Sequence, residues 1–139
     1  MRRVLVLLFV AFGFFAYLAP AQAKVVAEVS LSKQVMVVKV DGKVAHVWRV
    51  STARKGFITP RGTYKPQRMY VKYFSKKYYN APMPYSIFFR GGYAVHGGYA
   101  RLGTPASHGC VRLATGNAAK LYELTRQQGP RQTRIVITG

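Results

Sequence analysis

Apolar residues alternate with polar ones over Val25–Ser30 and run almost unbroken over Gln34–Val40, patterns that suit strands with one or both faces covered. Asp41-Gly42 follows, a pair that favours a type I′ turn, so a return strand over about Val44–Ser51 completes a meander. Pro60-Arg61-Gly62-Thr63 reads as a loop entrance before a short strand at Tyr64–Pro66. Lys72–Tyr79 is aromatic and basic, and fits a strand or a flap equally. Tyr85–Phe89 and Tyr93–His96 form a strand pair across Arg90-Gly91-Gly92. Helical spacing occurs once after residue 23: Ala118, Leu121, Tyr122 and Leu124 share a face between Thr115 and Gln127, and Gly129-Pro130 stops the run. Arg134–Ile137 closes the chain as a strand. Many short strands, one helix in the C-terminal half, and no repeat or linker predict a mostly-β fold, a single sandwich or barrel domain.

The first 23 residues follow a different pattern. Arg2 and Arg3 precede a continuous apolar run, Val4–Leu18, and Ala21-Gln22-Ala23 is a small-x-small cleavage site. That is the layout of a secretory signal peptide. As a helix the run spans about 22 Å, short of the ~30 Å hydrocarbon core of a bilayer. An uncleaved anchor is the alternative. Residues 24–139 then form the mature domain, and membrane contact is confined to export.

Charge narrows the chemistry. The chain carries 22 Lys and Arg against three acids, a net charge of +19. Such a field favours an anionic partner, and the export signal argues for an envelope polymer and against nucleic acid. The acids are Glu28, Asp41 and Glu123. Asp41 belongs to a turn and Glu123 to the helix, so two carboxylates facing one bond are not available. Glycosidase and aspartic-protease mechanisms are thereby disfavoured.

The one cysteine lies in Ser107-His108-Gly109-Cys110-Val111-Arg112. An unpaired thiol in an exported chain points to reactivity. A nucleophilic cysteine needs a base and donors for the oxyanion. His96, ahead of Gly97-Gly98, is placed to exchange the proton, and the backbone N–H groups of Gly109 and Cys110 are the candidate donors. With acids so scarce, the group that orients the imidazole is expected to be a backbone carbonyl of the Gly98–Ser107 loop or the Ser107 hydroxyl. Arg112 shares a face with Cys110 if the segment is extended, and fits either a substrate carboxylate or a structural tie.

Val95-His96-Gly97 together with Ser107-His108-Gly109-Cys110-Val111-Arg112-Leu113 resembles the signature of L,D-transpeptidase catalytic domains of the YkuD type. Further blocks match in the same order: Ser32-Lys33-Gln34, Val50-Ser51-Thr52, Thr59-Pro60-Arg61-Gly62-Thr63-Tyr64 and Met83-Pro84-Tyr85. The resemblance covers about residues 25–138. It implies that Cys110 attacks the carbonyl before D-Ala in a peptidoglycan tetrapeptide stem, with His96 as general base. It also implies that an amine on a second stem takes the acyl group, giving a 3→3 cross-link. Gly97, Ser107, His108, Arg112 and Tyr85 carry over as site-shaping or substrate-binding residues, with no cofactor and no metal. Choosing His96 over His108 as the base rests on the family. Two departures stand out: only ten residues separate His96 from Ser107, and Ala53 replaces a common glycine.

Several readings compete. Water as acceptor makes an L,D-carboxypeptidase, and an envelope protein as acceptor makes an anchoring enzyme. A basic, non-catalytic wall-binding protein is the alternative of another class. His96, His108, Cys110 and His46 also spell a zinc set, although His46 falls within the Val44–Ser51 strand, far from the motif. The aromatic segment 70–79 is either a lid or sheet packing, with Lys72, Lys76 and Lys77 as a solvated face.

Overall fold

The computed structural model describes residues 22–99 and 101–139. The expected signal segment lies almost wholly outside the described residues. Strands are β1 (Val25–Ser30), β2 (Val35–Val40), β3 (Lys43–Arg49), β4 (Gly62–Tyr64), β5 (Arg68–Tyr70), β6 (Phe74–Ser75), β7 (Ala81–Pro82), β8 (Ser86–Arg90), β9 (Tyr93–Gly97) and β10 (Val111–Leu113). Helix α1 (Thr115–Gln128), a 3₁₀ turn (Pro130–Gln132) and β11 (Thr133–Thr138) complete the chain. No helix among the described residues is long and apolar enough to cross a membrane.

Two sheets face each other. One has the order β3-β2-β1-β11-β4, the other β10-β9-β8-β5, and β6 with β7 makes a separate ribbon. The meander of β1, β2 and β3 forms as expected, and both turn residues have positive φ, 49° at Asp41 and 79° at Gly42, as a type I′ turn demands. The closing strand runs parallel to β1 and inserts between it and β4. Three strands escape the sequence pattern, β5, β7 and β10. Each has two or three residues, too few for alternation to register.

Alternation sorts the side chains. Val25, Ala27, Val29, Met36, Val38, Ile135 and Ile137 of the first sheet meet Ile87, Phe89, Val95, Val111 and Leu113 of the second. Burying each such side chain is worth roughly 1.5–3 kcal/mol. Ala118 and Leu121 bring α1 onto this core, with Tyr122 and Leu124 partly buried beside them. The opposite face of the second sheet carries a smaller cluster of Met83, Phe88 and Ala94, on which Tyr73 and Cys110 pack. The Cys110 segment lies over this second face.

Candidate active site

Strands β9 and β10 run parallel, with Val111 opposite Val95 and Arg112 opposite His96. Paired residues project to the same side of a sheet. Val95 and Val111 therefore enter the core, while His96 and Arg112 face outward. Cys110, two residues before Arg112, takes that outward face as well. It lies just ahead of β10, outside the paired residues, and shares one cleft with His96. Cys110, His96, Arg112, Ser107, His108 and Gly97 all line one cleft of about 650 Å³.

The loop ahead of Cys110 is held on several sides. Ser51 exchanges both backbone hydrogen bonds with Arg112, at 3.0 and 2.9 Å, and the Arg54 N–H donates to the Ser107 carbonyl. The Ser107 hydroxyl donates to the Cys110 carbonyl at 2.6 Å and accepts from the Gly109 N–H at 3.0 Å. Thr59 Oγ1 donates to the Gly109 carbonyl at 2.8 Å. Gly109 has φ of 131°, and a Cβ there would sit 2.6 Å from the Tyr93 ring and 2.8 Å from the Ile58 carbonyl. Only glycine fits that position.

His96 is 7% exposed, and its Nδ1 lies 2.8 Å from the Gly97 carbonyl. A carbonyl only accepts, so Nδ1 carries the hydrogen and Nε2 keeps its lone pair. The orienting group is thus a backbone carbonyl, but that of the neighbouring Gly97 and not one from the Gly98–Ser107 loop. The Ser107 hydroxyl is committed to the Gly109 N–H and the Cys110 carbonyl. Burial holds the His96 pKa down at about 4, with the Gly97 hydrogen bond opposing and the Arg112 charge assisting. Burial likewise pushes the Cys110 thiol up, against a backbone hydrogen bond from Ala94 and the charge of Arg112. Near neutral pH the resting pair is thiol and neutral imidazole.

His108 sits on the rim in a different setting. Arg54 Nη2 donates to its Nε2 at 2.9 Å, Phe57 meets it edge-on, and Tyr78 stacks flat upon it. Desolvation and the charges of Arg54, Arg112 and Lys77 hold its pKa down.

Tyr85 does not line the cleft. Its ring packs edge-on against Tyr122 of α1, on the core side. Gly97 gives close approach instead: a Cβ would lie 3.0 Å from the Thr115 Cα and 3.1 Å from Pro84. The Gly109 N–H, expected as an oxyanion donor, is occupied by Ser107 Oγ, so the Cys110 N–H is the remaining candidate of the two. The aromatic segment divides: Tyr70 and Tyr73 pack on Phe88, whereas Tyr78 and Tyr79 line the cleft, as does Lys77. His46 stacks on Trp48 in β3, in the other sheet. Sequence reasoning passed over Arg54, Phe57 and Tyr93. Thr59 was visible only as the first residue of the matching block Thr59–Tyr64.

The family model of the YkuD L,D-transpeptidase catalytic domain matches residues 24–137. The chain belongs to this family. Solved L,D-transpeptidases share the fold. That from Stackebrandtia nassauensis is 27% identical, with a TM-score of 0.74 over 92% of this chain and 62% of its own. That from Mycobacterium smegmatis is 22% identical, with a TM-score of 0.74 over 84% and 59%. L,D-transpeptidase 3 of Mycobacterium tuberculosis, solved with a faropenem-derived adduct, is 21% identical, with a TM-score of 0.72 over 84% and 60%. This chain thus spans about three fifths of the length of these L,D-transpeptidases. No curated protein matches it.

Proposed function

We propose that the protein is an exported cysteine acyltransferase of peptidoglycan that takes a tetrapeptide stem as acyl donor. Cys110 Sγ attacks the carbonyl preceding D-Ala while its proton passes to His96 Nε2. The tetrahedral oxyanion is met by the Cys110 N–H. The C–N bond breaks, Nε2 returns the proton to the leaving amine, and D-Ala departs. An amine on a second stem then attacks the thioester, restoring the thiol and forming a 3→3 amide cross-link. Arg112, facing the cleft beside His96, suits a stem carboxylate. The net charge of the chain suits a carboxylate-rich polymer.

The observation that carries this reading is the pairing of Cys110 and His96 on one wall of the cleft, with His96 Nδ1 tied to the Gly97 carbonyl. Because the resting pair is neutral, the imidazole acts as base during attack and need not hold a preformed thiolate. The test incubates the mature protein and a Cys110→Ala variant with faropenem and with disaccharide-tetrapeptide, followed by mass spectrometry. A covalent adduct, D-Ala release and cross-linked dimers are expected only with Cys110 present. Equal products from both proteins overturn the assignment. Tripeptide without dimers assigns the acceptor as water, and dimers appearing only with an added envelope protein assign it as that protein.

A further inference from the structure

The Gly109–Cys110 peptide is trans, so its carbonyl and its N–H point in opposite directions. The carbonyl is anchored behind the loop by Thr59 Oγ1 at 2.8 Å. Thr59 is 3% exposed, and its hydroxyl oxygen is itself fixed by accepting the Ala53 N–H at 3.0 Å. Gly109 lies close to its neighbours, since a Cβ there would meet the Tyr93 ring and the Ile58 carbonyl. Whatever holds the carbonyl back therefore aims the N–H forward.

We propose that Thr59 is a positioning residue that sets the direction of the Cys110 N–H, and with it the oxyanion donor. This rests on the acyl-transfer reading above. Thr59 touches no substrate. It acts only through the Gly109–Cys110 peptide plane, and its hydroxyl is the relevant part. Ser107 secures the same loop by other atoms, the Gly109 N–H and the Cys110 carbonyl. Those two anchors leave the Gly109 carbonyl to Thr59.

The experiment compares wild type, Thr59→Val and Thr59→Ser. Valine keeps the shape and removes the hydroxyl, whereas serine keeps the hydroxyl. Because removing a whole oxyanion donor costs about 10²–10³ in kcat, mis-aiming one is expected to cost about 10- to 100-fold. Thr59→Val should show that loss in kcat for D-Ala release, with KM within about twofold, and Thr59→Ser should recover most of it. Alkylation of Cys110 by iodoacetamide forms no oxyanion, so its rate should be the same in all three proteins. A kcat in Thr59→Val within twofold of wild type overturns the inference, and so does a parallel fall in alkylation, which marks a general collapse of the loop. If wild type releases no D-Ala, the stem-peptide reading fails by itself. Thr59 is then judged on acylation of Cys110 by p-nitrophenyl acetate, where an unchanged rate in Thr59→Val overturns it equally.

Discussion

The Tyr78 ring lies flat on the His108 imidazole, with centroids 4.2 Å apart and planes 9° from parallel. Tyr78 belongs to the turn of the β6–β7 ribbon, and His108 to the nucleophile loop. Arg54 and Phe57 hold the same imidazole, by a hydrogen bond to its Nε2 and an edge-on contact. One rim histidine thus ties together three separate parts of the chain. Aromatic stacking of this kind is worth about 0.5–1.5 kcal/mol. We expect Tyr78→Ala to raise KM for the tetrapeptide about 2- to 10-fold, with kcat nearly unchanged, in steady-state D-Ala release.

If His96 is the base proposed above, its burial should set the acid limit of the reaction. His96 has a pKa of about 4 in place of 6.5, so its base form persists well below neutral pH. The acid limb of kcat/KM should fall near pH 4 instead of near pH 6.5, as read from a pH–rate profile in the free enzyme.

The same shift couples folding to pH. Between 6.5 and 4 the unfolded chain takes up a proton that the folded chain refuses. The stability tied to neutral His96 is complete above about pH 6.5 and is lost as pH falls toward 4, amounting to about 3 kcal/mol. Urea denaturation at pH 7 and pH 4 measures it. In His96→Gln, the difference between the two pH values should shrink by about that amount.

The thiol should behave as a raised one. Burial lifts the Cys110 pKa and the Arg112 charge partly opposes it. Iodoacetamide alkylation should therefore keep rising with pH beyond the range of an ordinary thiol. Removing the guanidinium in Arg112→Gln should move that rise to still higher pH.

Gly109 should tolerate no side chain. Gly109→Ala combines a φ of 131° with a Cβ that would meet the Tyr93 ring at 2.6 Å. The backbone conformation alone costs about 1–3 kcal/mol. A lower melting temperature together with loss of acylation by faropenem is expected, since the displaced loop carries Cys110.

Much of this arrangement is legible in the chain. Two-residue alternation marks β1, an almost unbroken apolar run marks β2, Asp41-Gly42 fixes the turn after them, and the Ala118–Leu121 spacing marks the helix. Cys110 stands out as the lone cysteine, whereas choosing His96 over His108 as its partner rests on the family resemblance. Other features depend on contacts that no local pattern encodes. Tyr85 and Tyr78 are alike as letters, yet the first packs on Tyr122 and the second on His108. The role of Thr59 spans fifty residues of sequence, and a three-residue strand such as β10 becomes visible only beside β9. Arg54 shows no signal of its own, because its partner is an imidazole brought near by folding.

The group that chooses the tautomer of His96 is the main-chain oxygen of Gly97. Every amino acid carries that atom, so no codon change can delete it. A scan that replaces side chains one at a time would overlook this group altogether. Exposing it calls for chemistry on the backbone itself, such as replacing the amide after Gly97 with an ester, which weakens the carbonyl as an acceptor.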